Sequence, residues 1–503
     1  MLSSSGVQTW GGHCMMRERK HGDRLRVVAA QSSRSAARPS GAAGSAAGPV
    51  PAPWLIRRLF PLLAAVGLIV AGMTSTTWWG PGLAGVSDWA LPYDLWGTLI
   101  AAQRLVHLDL GGLYTQPTAL ITFPGAAVIL VPVVALIDAA GVSLQIPGPH
   151  NTQPAAWLLA GPYQIAVSAV ALFAADALAE HLGVTRLKRA YLAAAGAVVL
   201  WNVSVRWGHP EDAVAVGLLL YGILALSRSG NTARSAWLIG AAVAVQPLVL
   251  LALPFVLVVI EPRRLAGFLA RAAAPAAVLL GAAAAANWTA TVNAVTSQPN
   301  SPTVDHPTPW TSLAPHLSNG LVATGPARMM VVLIACGCAL VVGRRWRSAR
   351  GSARWSPEIL WELLWWVALA LALRSVLEPV MVAFYLWPPL AVALIPASRN
   401  WWRLLPASLV AGTITFVSQA TWRGPWGWWG LMVAGLGLTL FAGVPLRTKA
   451  AGAVLPASAL LRSQILRYLG PVTKRGIAAS ADSSAAVLSS EPISPADSEG
   501  TRK

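Results

Sequence analysis

The chain has 503 residues, of which 55% are hydrophobic and only 11% charged, whereas a soluble domain carries roughly a quarter charged residues. So little charge excludes a soluble globular protein. The net charge of +18 does not point to nucleic acid: the cations occupy the N-terminal arm, the C-terminal tail and short interhelical loops, a pattern of cytoplasmic anchoring, and no basic face interleaved with aromatics accompanies them.

In chain order, residues 1–53 are rich in Ser, Gly, Ala and Arg and read as a disordered basic cytoplasmic arm. The arm is too long and polar for a signal peptide, so the apolar block after Arg57-Arg58, from Leu59 to Thr77, reads as an uncleaved span. A first external loop, 78–117, carries Asp88, Asp94 and Asp109. Within it Leu95, Leu99, Ala102, Leu105 and Val106 recur at helical spacing, which predicts an amphipathic helix in the membrane interface. Further apolar blocks lie near 118–138, 154–178, 190–205, 212–227, 236–260, 272–286, 328–343, 359–373, 379–397, 404–420 and 427–446.

Each block is about as long as the roughly 20 residues that a helix needs to cross hydrocarbon, which gives roughly ten to thirteen spans. Backbone in lipid must satisfy itself, so the spans are helices, and the alternating pattern of an outer-membrane barrel is missing. The expected fold is all-α, a polytopic transmembrane helical bundle over 54–446. The chain is expected in the plasma membrane, multi-pass, with a cytoplasmic N-terminus and a disordered cytoplasmic tail, 447–503. The basic segments Arg186-Leu187-Lys188-Arg189, Arg263-Arg264, Arg344-Arg345 and Arg447 with Lys449 belong inside. Simple alternation fails to put all of them there unless 118–138 is re-entrant or half-spanning and 236–260 breaks at Gln246-Pro247. A second large external loop, 287–328, carries Asp305 and His306 and is expected beside the first.

Acids number only 19, so those near the outer surface are the natural suspects for chemistry. Asp94 is the sharpest: ahead of the amphipathic stretch it either caps that helix or serves as a general base toward an acceptor hydroxyl. His209, Glu211 and Asp212 fall within four residues, a spacing that holds a divalent metal or opens a helix, and Pro210 followed by acids favours the second. No cofactor is called for. Cys336 and Cys338 point to different helix faces and Cys14 lies in the arm, so neither a disulfide nor a metal site is expected. Arg374 pairs with Glu378 at i,i+4 or serves an anionic ligand. Many of the 24 Trp stand at span ends, as in an interfacial belt.

Three segments carry a resemblance. The run Asp94-Leu95-Trp96 through Gly111-Gly112-Leu113-Tyr114 to Phe123-Pro124-Gly125, then Trp207-Gly208-His209-Pro210-Glu211-Asp212, then Ile239-Gly240 through Gln246-Pro247, resemble in order the landmarks of GT-C membrane glycosyltransferases. The branch resembled is that of actinobacterial mannosyltransferases using polyprenyl-phosphate mannose. Phe-Pro-Gly stands where the family has aromatic-Pro-Pro, and Gln246 where it commonly has a cation. The resemblance implies a GT-C-like bundle transferring a hexose, most simply mannose, from a polyprenyl-phosphate donor to a lipid-linked glycan of the envelope. Asp94 would be the base and Asp88 a weaker alternative. Tyr114, His209, Asp212, Gln246, Arg206 and Arg374 would contact substrates, and the partners are the two lipid-linked substrates and membrane lipids. A transporter or flippase of lipid-linked sugars, and a catalytically silent assembly protein, are the competing readings.

Overall fold

The computed structural model describes residues 54–78, 92–115, 120–144, 154–303, 305–317, 320–346, 355–419 and 426–445. The arm 1–53, the tail 447–503, Asp88 and Cys14 lie outside the described residues. Among the described residues the α-helices are, in order, α1 (Trp54–Arg57), α2 (Leu59–Trp78), α3 (Tyr93–Val106), α4 (Gly125–Val128), α5 (Val131–Ala139), α6 (Pro154–Ser168), α7 (Val170–His181), α8 (Arg186–Trp201), α9 (Pro210–Ser229), α10 (Thr232–Val245), α11 (Leu253–Leu257), α12 (Pro262–Ala286), α13 (Trp288–Ser297), α14 (Gly325–Trp346), α15 (Pro357–Leu377), α16 (Trp387–Ala397), α17 (Trp401–Val417) and α18 (Gly427–Gly443).

The result is an all-α bundle. Helix α9 packs on α7 and α10, α10 also packs on α12, and α16 bridges α15 and α18. Ala and Gly along α9, α10 and α12 let backbones approach closely, as in helix pairs that pack without a hydrophobic drive between them. Among the described residues, five segments are long and apolar enough to cross a membrane: Ala155–His181, Pro210–Ser229, Pro262–Ala286, Gly325–Trp346 and Pro357–Leu377. Val278, Leu333, Leu409 and Phe441 stand 68–76% exposed on such helices or their neighbours, an apolar exterior suited to lipid rather than water.

Other blocks read as spans are shorter or broken. In 118–138 the chain forms only α4 and the nine-residue α5, which at 1.5 Å per residue reaches about 13 Å, under half of a hydrocarbon core. In 236–260, α10 stops at Val245, a 3₁₀ turn runs Pro247–Leu251, and α11 follows, because Pro247 offers no N–H to continue α10. Block 379–397 begins with a strand and a 3₁₀ turn, and only then becomes α16.

The segment Arg186–Arg189, read as a loop, is instead the first turn of α8, with Thr185 as N-cap. Its Arg189 is buried: Nε and Nη2 donate to the two oxygens of Asp176 at 2.7 Å each, and Arg58 Nη1 donates to Asp176 Oδ2 at 2.6 Å. Arg57 and Arg58 also reach Glu180. This charged knot ties the start of α2 to α7 and α8.

Two short ladders organise the segment around 299–323. Strand β1 (Pro299–Asn300) pairs antiparallel with β3 (Val322–Ala323), and β2 (His306–Pro307) with β4 (Val380–Met381), so His306 faces Met381 in register. The His306 ring stacks on Trp428 at 3.8 Å. The segments expected as the two external loops touch, since Asn287 Nδ2 donates to the Gly111 carbonyl at 3.3 Å.

Candidate functional site

Helix α3 forms where its periodicity predicts, burying Leu95, Leu99 and Ala102. Its N-cap is Pro92, with no side-chain cap bond, so Asp94 is not the cap that its position suggested. Asp94 lies in the first turn, where the helix dipole favours a carboxylate. Its side chain, 29% exposed, accepts a hydrogen bond from His209 Nε2 at 3.0 Å.

His209 is put there by an irregular stretch. A π-turn, Asn202–Arg206, ends α8, a local widening that recurs at functional sites. Gly208 then takes φ +67°, and a Cβ there would stand 2.6 Å from Leu95 Cβ, so only glycine fits beneath α3 in this left-handed conformation. His209 follows as N-cap of α9 with Pro210 in the first turn and Glu211 and Asp212 behind it. Its Nδ1 lies 2.6 Å from Glu211 Oε1, and its ring stacks on Phe384 at 3.8 Å. Burial pulls His209 down, but the Glu211 and Asp94 carboxylates outweigh this and raise it well above the usual imidazole value. As an imidazolium it donates from both ring nitrogens. Burial pushes Asp94 up, and the His209 hydrogen bond and charge overcome that to hold it below the ordinary carboxylate value. Asp305, on the facing loop, is pushed up to about 6 by burial and then by the charge of Asp94.

A second chain of contacts runs from Asp212. Gln246 Nε2 donates to Asp212 Oδ1 at 2.7 Å, and Thr122 Oγ1 donates to Gln246 Oε1 at 2.9 Å. Tyr114, 6% exposed, donates its hydroxyl to the Thr122 carbonyl at 3.0 Å. Tyr114 is therefore a strut of the loop and reaches the site only through Thr122. Gly125 has a local reason: a Cβ there would stand 2.3 Å from the Ala244 carbonyl oxygen, so α4 abuts the end of α10 two residues before Gln246 leaves the helix.

Gln246 also lines a cavity of about 510 Å³ whose wall includes Phe123, Leu250, Gln298, Arg328, Met329 and Arg374, within the roughly 300–1,000 Å³ of ligand pockets. Arg374 Nε donates to Glu378 Oε1 at 2.9 Å, so the i,i+4 pair forms. Arg328 Nε donates to the same oxygen. The Arg374 guanidinium lies 3.7 Å over the Tyr385 ring, and Tyr385 in turn packs edge-on against Phe384 at 4.8 Å. The two parts of the site are thus joined by Phe384-Tyr385 and by Asp212-Gln246. Arg206 sits elsewhere, with its guanidinium 5.9 Å over Trp207 and outside the cavity wall.

No group of three or more His, Cys, Asp or Glu able to hold a metal occurs among the described residues. His209, Glu211 and Asp212 do not meet at one point: His209 lies between Glu211 and Asp94, whereas Asp212 turns to Gln246. Sequence reasoning missed Arg328, Gln298 and Phe384, and it named Asp305 without giving it a role. Arg328 left a signal, a lone cation opening an apolar block, which is costly in a membrane and usually has a specific partner. No protein-family model, curated protein or solved structure matches this chain, and its chemistry rests on its own residues.

Proposed function

We propose that this chain is a GT-C-like membrane glycosyltransferase, N-terminus cytoplasmic, that moves a hexose, most simply mannose, from a polyprenyl-phosphate donor to an envelope glycolipid or glycan at the outer face. The observation that carries this reading is Asp94, a partly exposed carboxylate oriented by His209 at 3.0 Å, with the His209 ring backed by Glu211. Such a group suits removal of the acceptor proton, a role worth roughly 10²–10⁴-fold in rate. In the step, the acceptor oxygen forms a bond to the anomeric carbon, its proton passes to Asp94, and the bond from that carbon to the phosphate oxygen breaks. The electron pair leaves with the polyprenyl phosphate, the configuration inverts, and Arg374 steadies the departing charge.

The test is transfer of radiolabelled sugar from polyprenyl-phosphate mannose, and in parallel from the arabinose donor, by membranes holding wild type or Asp94→Asn. Incorporation lost in the variant at equal protein level supports the reading. Background incorporation from both proteins with both donors sinks it. One observation favours a second reading, a carrier of lipid-linked sugars: helices break at both Gln246-Pro247 and Glu378-Pro379, and paired broken helices mark transporter sites. A carrier would translocate the lipid-linked sugar in vesicles without consuming it.

A further inference from the structure

The cavity beside Gln246 carries its own logic. Among the described residues, the charged ones on its wall are Arg328 and Arg374. Their shared counter-ion, Glu378, is fully buried behind them, and both guanidiniums fall on its one oxygen Oε1. Each guanidinium has five N–H donors. Arg328 uses three, on Glu378, Gln298 and Tyr385, and Arg374 uses one, on Glu378, so donors remain on both for an anion. The carboxamides of Gln246 and Gln298 stand on the same wall. Planar guanidiniums in a low-dielectric wall are the usual seat of a phosphate.

The remaining wall is almost wholly apolar, and it ends in lipid-facing side chains. Leu250 is 36% and Met329 63% exposed, and Met330 and Leu333 continue that bare face of α14 at 46% and 68%. These side chains give the cavity an apolar rim on the exposed face of α14. A free anion gains nothing from such a rim, whereas a phosphate with a long hydrocarbon tail satisfies both ends at once.

We propose that this cavity seats the phosphate of a polyprenyl phosphate on Arg328 and Arg374, with the chain leaving past Leu250 and Met329 into the bilayer. The proposal rests on the transferase reading for the identity of the lipid, but its test does not require turnover.

The experiment is binding of decaprenyl phosphate, phosphatidylglycerol and inorganic phosphate to the purified full chain by native mass spectrometry, with thermal stability recorded for each variant. Wild type should hold decaprenyl phosphate at least tenfold more tightly than phosphatidylglycerol and show no specific inorganic phosphate adduct. Arg328→Ala should lose tenfold or more. Met329→Trp, which narrows the mouth outside the ion network, should lose as much without a change in stability, so misfolding of the first variant cannot mimic the result. Unchanged binding in Met329→Trp, equal binding of phosphatidylglycerol, or saturable inorganic phosphate binding overturns the proposal. Binding as expected in a protein that transfers no sugar sinks the transferase reading and leaves the lipid site standing. Transfer that persists at wild-type KM in both variants does the reverse.

Discussion

His209 Nε2 donates to Asp94 Oδ2 across 3.0 Å, joining segments 115 residues apart, and this contact fixes both the direction and the charge of the carboxylate. Replacing His209 by Gln keeps a donor but removes the imidazolium. The burial that pushes Asp94 up is then opposed by a neutral hydrogen bond alone, without the imidazolium charge. Initial sugar-transfer rates should fall about 10- to 100-fold, and the acid limb of the pH profile should move upward from its wild-type position below the ordinary carboxylate value. The stability linkage has two sides. The lowered Asp94 contributes stability present above its unfolded value and lost as pH falls through the folded one. The raised His209 contributes stability present below its unfolded value and lost as pH rises through the folded one. An acid limb at the same pH in wild type and His209→Gln would show that the imidazole does not tune Asp94.

Gly125 and Gly208 are the two places where a single methyl group should disable the site without touching a polar atom. In Gly125→Ala the new Cβ meets the Ala244 carbonyl oxygen at 2.3 Å and its carbon at 2.6 Å, so α4 must retreat from α10 and carry Thr122 away from Gln246. In Gly208→Ala the φ of +67° and the 2.6 Å approach to Leu95 act together to lift α3 off His209. Overpacking of this kind costs about 1–3 kcal/mol. Thermal unfolding in detergent should register it for both variants. Gly208→Ala should lose more transfer activity, because it parts His209 from Asp94 directly.

The sequence made helices, loops and the Asp94 region legible because apolar periodicity and chain breakers are local signals. Leu95, Leu99 and Ala102 fixed the face of α3, and Gln246-Pro247 marked a real break, since a missing N–H is written in one residue. What sequence could not supply were pairings across distance. Nothing local says that Asp212 meets Gln246, that Arg328 shares Glu378 with Arg374, or that Arg189 turns inward to Asp176 instead of facing water. Among the described residues five segments are long and apolar enough to cross a membrane; 118–138 is short, as the half-spanning expectation has it, and 379–397 yields a shorter helix than its hydropathy suggests because a strand and a 3₁₀ turn precede α16. Arg206 illustrates the same limit from the other side, for a cation near the right residues in sequence lies over Trp207 rather than on the cavity.

The knot of Arg58, Asp176 and Arg189 should prove structural rather than functional. Asp176 is 1% exposed in its side chain, and Arg58 and Arg189 are 9% and 7% exposed. Asp176→Ala removes the carboxylate that two buried guanidiniums share and leaves them Glu180 alone, a loss bounded by the roughly 3–5 kcal/mol of a fully broken buried pair. Expected outcomes are a marked loss of folded protein on size-exclusion chromatography and a depressed melting temperature. Any surviving folded fraction should transfer sugar at the wild-type rate, since the knot touches neither Asp94 nor the cavity. Normal melting in Asp176→Ala would mean that the three charges contribute little net stability.

Asp305 offers a pH signature separable from that of Asp94. Burial, and after it the charge of Asp94, raise its carboxyl to about 6, so the folded state binds a proton that the unfolded chain has already released. Stability should therefore decline as pH rises from the ordinary carboxylate value toward 6. Asp305→Asn cannot ionise and should remove that decline, and melting temperatures from pH 4 to pH 8 measure it. If Asp305 faces the acceptor as it faces Asp94, the wild-type transfer rate also inflects near pH 6 and the variant does not. A variant whose melting curve falls over that interval as steeply as the wild type would place the titrating group elsewhere.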